Sequence, residues 1–262
     1  MLSKPITLYD DGHHKCLMFD DLVAGEGIQS NQFLIVHGDF SALIDPGGDL
    51  TYMPLTMAAG RLIRMKELDY VLASHQDPDI IAALDRWLLN TNAKVVVSEL
   101  WSRFLPHLSS NFLKSNMGVD PFHRMLTVPD RGMDIPFGNT VIKAIPAHFL
   151  HSVGNFQFYD PVSKILFSGD MGASVVNSGR GQPVADLAAH IPAMEGFHRR
   201  YMGSRKVCAL WANMVRGMEI EMMVPQHGAH FAGRESIDAF LDWISTLECG
   251  IDLLDQNDYR AP

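Results

Sequence analysis

The chain has 262 residues, 47% of them hydrophobic and 19% charged, with a formal net charge of −9. That length suits one large domain able to bury its own core without staples. The acidic balance argues against nucleic acid or an anionic membrane surface as the main partner, and no apolar run reaches the roughly 18 residues of a membrane span.

The opening residues, Met1-Leu2-Ser3-Lys4-Pro5-Ile6, lack the long apolar core of a signal peptide, which sets the expectation of a cytoplasmic protein. Cys16, Cys208 and Cys249 form no CxxC pair and read as reduced thiols. No repeat, low-complexity tract or Gly/Ser linker divides the chain, so a single domain over residues 1–262 is expected.

Strand-like runs come first: Lys15 to Phe19, Gln32 to Val36, and Ser41 to Ile44 running into the turn Asp45-Pro46-Gly47-Gly48. A helix is expected from Leu55 to Met65, then a short buried strand from Tyr70 to Ala73. Helical spacing resumes at Ile80, Ile81, Leu84, Trp87 and Leu88. A strand over Ala93 to Val97 precedes a helix from about Leu100 to Leu108. Residues 109 to 123 read as a variable insertion, with Phe112 and Phe122 candidates, beside Trp101 and Phe104, for covering a site.

The second half repeats the order. Strands are expected at Met125 to Val128, Met133 to Phe137, Thr140 to Pro146, Asn155 to Tyr159 and Ile165 to Phe167. Helices at Leu187 to Met202 and Val207 to Met218 lead to a strand over Ile220 to Val224 and a last helix over Ser236 to Leu247. Met214, Met218, Met222 and Met223 read as core packing. Two β-rich halves, each with helices, imply an α/β fold of two stacked sheets with helices outside.

The chemistry concentrates where strands end. Ser74-His75-Gln76-Asp77-Pro78-Asp79-Ile80 joins an apolar strand to a helix and carries an imidazole and two carboxylates at alternate positions. Carboxylates that close repel one another unless a cation is shared with the imidazole, so the loop reads as half of a metal site. Three further strand ends supply the rest: Ala147-His148-Phe149-Leu150-His151, Gly169-Asp170, and Gln226-His227-Gly228. A lone His or Asp after a strand is more often a cap, but three histidines and three carboxylates on four loops point to metal. Softness alone admits iron, manganese or zinc; the carboxylate-rich set favours a redox-active ion.

Asn31-Gln32-Phe33-Leu34-Ile35, Ala42-Leu43-Ile44-Asp45-Pro46-Gly47, the His75 loop, Ser168-Gly169-Asp170 and Pro225-Gln226-His227-Gly228 resemble the successive motifs of the metallo-β-lactamase superfamily. The resemblance runs from about residue 30 to 230 and implies a four-layer αββα sandwich with a two-metal site at one sheet edge. Asp77 stands where the common zinc hydrolases carry a second histidine, and Ile80 where they carry a last one. The acidic replacement is similar to the flavodiiron branch, and closest to its stand-alone oxygen-binding diiron proteins (ODP), so no FMN domain is expected in this chain.

By that resemblance one iron takes His75, Asp77 and His151, the other takes Asp79 and His227, and Asp170 bridges them. His151 is preferred to His148 because eighteen residues separate it from Asp170, the interval of the flavodiiron pattern. His148 then has a supporting or packing role, and Asp45 orients a ligand imidazole through its far nitrogen. Ile80 leaves the second iron short of protein ligands.

The implied function is a non-haem diiron centre that binds O2, passing from diferrous to peroxo-diferric, as an oxygen or redox sensor with a signalling partner. Homodimer pairing follows by analogy. The alternatives are an O2 or NO reductase fed by an external electron donor, and a dinuclear zinc hydrolase whose bridging hydroxide attacks the substrate.

Overall fold

The computed structural model describes residues 4–108, 115, 121–175 and 181–261. Most of the 109–123 stretch, including Phe112 and the side chain of Phe122, lies outside these residues, and so does the expectation that it covers the site. Trp101 donates its indole N–H to the Val153 carbonyl, and neither it nor Phe104 is among the described residues lining the cavity over the cluster.

The first sheet holds β1 (Ile6–Asp10), β2 (His14–Phe19), β3 (Gln32–His37), β4 (Phe40–Ile44), β5 (Tyr70–Leu72), β6 (Lys94–Ser98) and β7 (Met125–Val128) in that spatial order. Its first four strands pair antiparallel and β4 to β7 pair in parallel. Between the parallel strands run α1 (Asp49–Ala59), α2 (Pro78–Ile81), α3 (Leu84–Asn90) and α4 (Glu99–Ser102). The second sheet has the order β13 (Phe231–Ala232), β12 (Met222–Val224), β11 (Ile165–Phe167), β10 (Phe156–Asp160), β9 (Thr140–Pro146) and β8 (Met133–Phe137). The helices α5 (Leu187–Tyr201), α6 (Arg205–Arg216) and α7 (Arg234–Thr246) accompany it.

Period-2 alternation builds the layers. On β3, Phe33 and Ile35 join the core between the sheets, whereas Leu34 faces the first helical layer. Ile44 against Leu43 and Leu72 against Val71 repeat the division on β4 and β5. On the second sheet Phe167 points inward and Leu166 joins the core beneath α5, α6 and α7. Three apolar cores separate four layers, the expected αββα sandwich.

Several boundaries differ from the sequence reading. The first helix runs Asp49–Ala59, not Leu55 to Met65; it starts directly after the Gly47-Gly48 turn and contains Pro54 one turn in. The helical run after the His75 loop breaks into α2 and α3, and the run after β6 into α4 and a 3-10 turn at Leu105–Leu108. The edge strands β1 and β13 lie outside the sequence reading; β13 has only two residues, and β1, Ile6-Thr7-Leu8-Tyr9-Asp10, has no fully buried residue. Of the four methionines read as core, Met223 is fully buried, but Met214 is 36% exposed on α6.

Candidate metal centre

Strand direction explains why the ligand-type residues meet. β4 and β5 run in parallel, so Asp45 and the Ser74-His75 loop emerge at one edge of the first sheet. β9, β11 and β12 share one direction in the second sheet, and the His151, Asp170 and His227 loops leave from the facing edge. Bonds between loops hold the two edges together. Phe156 N–H donates to the Ser74 carbonyl, Ser152 Oγ to Gln76 Oε1, and Gln226 Nε2 to the Asp79 carbonyl. Asn31 donates its amide to the Pro225 and Gly228 carbonyls, fastening the His227 loop to the start of β3. Gly228 has φ +80°, and a Cβ there would strike the Ser174 hydroxyl and backbone, so glycine allows that close approach.

All six of the side chains His75, Asp77, Asp79, His151, Asp170 and His227 come together. Asp170 Oδ2 lies 3.2 Å from His75 Nε2 and 2.9 Å from His151 Nε2. Asp77 Oδ2 sits 3.6 Å and 3.4 Å from the same two nitrogens. The other oxygen of Asp170, Oδ1, faces His227 Nε2 at 3.5 Å, and Asp79 Oδ2 lies 3.2 Å from that nitrogen. One carboxylate thus presents each of its oxygens to a separate His/Asp group. Donors around one ion, bonded at about 2.0–2.2 Å, lie near 3 Å from one another; the separations here match.

Two polar atoms in this cluster are buried without a hydrogen-bond partner, His75 Nε2 and Asp170 Oδ1. A buried polar atom without a partner costs about 1–3 kcal/mol, and a bound cation removes that cost for both. The donor set therefore fits two metal ions. Exposure is graded, from a 1% exposed His75 side chain to 46% for Asp79, so the cluster opens on the Asp77 and Asp79 side.

Charge compensation dominates the titration of the metal-free site. Burial alone would lower the His75 pKa, but Asp170 and Asp77 outweigh it and raise the value to about 10. His151 is raised to about 9 by the same carboxylates against the same burial. His227 is raised by Asp79 and Asp170 despite burial. The His151 and His75 imidazoles hold the Asp77 carboxyl well below the usual carboxylate range. Burial opposes ionisation of Asp170, yet His151 and His75 hold its carboxyl well below that range too.

The supporting residues depart in detail from expectation. Asp45 does not touch an imidazole directly. Its Oδ1 accepts the Ser74 N–H at 2.8 Å, and Ser74 Oγ lies 3.0 Å from His75 Nδ1. Ser74 therefore relays the orientation, and burial pushes the Asp45 carboxyl up to about 7. His148 lies apart from the cluster, its Nε2 2.7 Å from the Asp130 carbonyl and its ring edge-on to Phe156. Ile80 packs at 0% exposure in the core with α1 and α3.

Other supporting residues were not foreseen. His227 Nδ1 donates to the Gln29 carbonyl at 2.7 Å, which aims Nε2 at the site. His198, fully buried on α5, accepts the Gly172 N–H and donates Nδ1–H to Met194 O; burial lowers its pKa to about 4, so it stays neutral. Phe197 and Tyr201 stack on each other and set their edges against the His151 ring. Only the i, i+4 spacing of those aromatics hinted at a shared face. A cavity of about 650 Å³ opens over the cluster, lined by Met18, Ile28, Val175, Phe197, Tyr201 and acidic groups including Asp20. No lysine or arginine is among its described lining residues.

Two stacked sheets between helical layers, with a His/Asp cluster at one sheet edge, define a metallo-β-lactamase-like protein. The family described as ODP family beta lactamase matches residues 28–228, and the chain belongs to that family. A solved structure of the peroxy diiron species of chemotaxis sensor ODP is 37% identical; the match covers 98% of this chain and 100% of that one, with a TM-score of 0.84. A mutant flavo di-iron protein from Thermotoga maritima shares the fold at 19% identity and a TM-score of 0.72, over 92% of this chain and 60% of that one. An uncharacterized protein of Methanocaldococcus jannaschii is 25% identical over 206 residues, 78% of this chain. The chain spans about half the length, 50%, of that curated relative.

Proposed function

We propose that the chain holds two iron ions and binds O2 as an oxygen sensor. The observation that carries this reading is Asp170, whose two oxygens face two separate sets of ligand-type side chains. His75, Asp77 and His151 would hold one iron and Asp79 and His227 the other, with Asp170 available to both. The similarity to the chemotaxis sensor ODP over the whole chain supports iron as the metal and sensing as the role. When bound, the iron pair supplies the electrons that O2 accepts.

The chain's own residues prepare the site for that chemistry. Ser74 and the Gln29 carbonyl hold His75 and His227 with their Nε2 atoms turned inward. Phe197 and Tyr201 shield His151 on the cavity side. The described lining sets apolar side chains such as Met18, Ile28 and Phe197 beside the ligand carboxylates, a surround that a neutral gas can enter. NO, a neutral gas of similar size, competes with O2 in this reading.

The reading includes a cytoplasmic location, a signalling partner of the chemotaxis type and homodimer pairing; light scattering reports the last. No described helix is long and apolar enough to cross a membrane. The test of the central claim is metal content after purification without added metal, followed by air titration of the anaerobic ferrous protein. Two irons per chain, O2 uptake and new visible absorption are expected. Stoichiometric zinc in iron-replete cells, or ferrous protein that takes up no O2, refutes it. Rapid donor-dependent gas consumption would instead identify a reductase.

A further inference from the structure

At the far end of the sandwich lies a second cluster that the diiron reading leaves unused. β3 begins beside Asn31, at the diiron end, and finishes at His37, about 17 Å away along the strand. There His14 and Cys16, alternate residues on β2 and so on one face, meet Asp160 at the end of β10 on the opposite sheet. All three are 0% exposed.

We infer that His14 Nε2, Cys16 Sγ and Asp160 Oδ2 form a structural zinc site that ties the two sheets together, with the Ser163 hydroxyl closing its fourth side. Cys16 Sγ lies 3.5 Å from His14 Nε2 and 3.4 Å from both Asp160 Oδ2 and Ser163 Oγ. Ligands held tetrahedrally at about 2.3 Å for sulfur and about 2.0 Å for nitrogen or oxygen lie about 3.5 Å apart. Two contacts have to widen: His14 Nε2–Asp160 Oδ2, at 2.7 Å and bridged by a proton, and the short hydrogen bond that the Ser163 hydroxyl donates to Asp160 Oδ2.

The surroundings are those of a metal ligand set. His14 turns its other nitrogen, Nδ1, to His37 Nδ1 at 3.0 Å, and His37 Nε2 meets Asn139 Oδ1. The far nitrogen of the ligand imidazole is thereby fixed. Asp160 is held by the Val162 and Ser163 N–H groups. The exposed His13 stacks edge-on over His37, at the surface end of the chain of contacts.

Charge is conserved when the ion enters. Zinc takes the place of the Cys16 S–H proton and of the proton between His14 Nε2 and Asp160 Oδ2, so two positive charges replace two and no electrons move. The metal-free cluster satisfies itself with those same protons. Burial and the Asp160 carboxylate push the Cys16 thiol up, which keeps that proton in place until a metal displaces it.

This site is independent of the diiron reading, and its test separates the two. The full chain is produced in minimal medium with cobalt replacing zinc and iron, and its metal content and near-ultraviolet spectrum are recorded. The diiron cluster contains no thiolate, and Cys208 and Cys249 lie together elsewhere in the fold, so the part of a thiolate-to-cobalt absorption that Cys16→Ser removes reports on Cys16. Three metals per chain with that band are expected. Cys16→Ser loses the band and one metal, whereas Asp170→Asn keeps the band while losing metal at the other site. Wild-type protein with no thiolate band overturns the inference, whatever the metal content of the other site, a result that needs no variant to fold.

Discussion

Replacing Asp170 by Asn removes one charge and one acceptor from the point where both halves of the cluster meet. The amide presents oxygen to one half and N–H to the other. One ion therefore loses a ligand, and the remaining carboxylates no longer balance the ions as well. Loss of a merely supporting contact weakens metal binding by about 10–100-fold; loss of a shared ligand exceeds that, so one metal leaves during dialysis against a chelator. The metal-free protein responds as well. Asp170 is 4% exposed and is the strongest partner of both His75 and His151. Breaking a buried pair costs on the order of 3–5 kcal/mol. Holding His75 at about 10 rather than 6.5 corresponds to about 4 kcal/mol at pH 7. Asp77 supplies part of that, so about 2–4 kcal/mol is the expected loss, a shift of about 1 M in the urea midpoint. Elemental analysis and urea denaturation at pH 7 check both. Two metals retained through chelation, or an unchanged metal-free midpoint, refute the bridging assignment and the electrostatic argument respectively.

The pH dependence of the metal-free protein follows from the same groups. The raised His75 and His151 contribute stability that is complete below about pH 6.5 and lost as pH rises through about 9 to 10. The depressed Asp77 and Asp170 contribute stability present above about pH 4 and lost in acid. Denaturation midpoints should therefore peak between about pH 4 and 6.5, and metal affinity should keep rising to about pH 9 or 10 as protons stop competing. Asp45 acts in the opposite sense: with its carboxyl at about 7, it lowers stability progressively from about pH 4 to 7. Asp45→Asn still accepts the Ser74 N–H and should flatten the metal-free profile over that range; a steeper profile would contradict the relay. Phe197→Ala uncovers His151 and should speed loss of the oxygenated signal several-fold in a stopped-flow trace, with metal content unchanged.

Much of this protein could be read from residue order. Alternating apolar runs marked most strands, because a strand between two cores must offer a side chain to each. The six ligand-type residues stood out because His and Asp right after buried strands have few reasons to be there together. The fold alone decided how they group: which Asp170 oxygen faces which imidazole depends on two sheets meeting, and no linear spacing encodes that. Likewise Asp45 reaches His75 through Ser74, and His198, 28 residues beyond Asp170 on α5, steadies its loop. The Cys16 cluster was invisible for the same reason. Its partners lie 2 and 144 residues away, and only closure of the sandwich brings them within hydrogen-bond reach. Local pattern determines which way a side chain faces; the packing of distant strands determines what it meets.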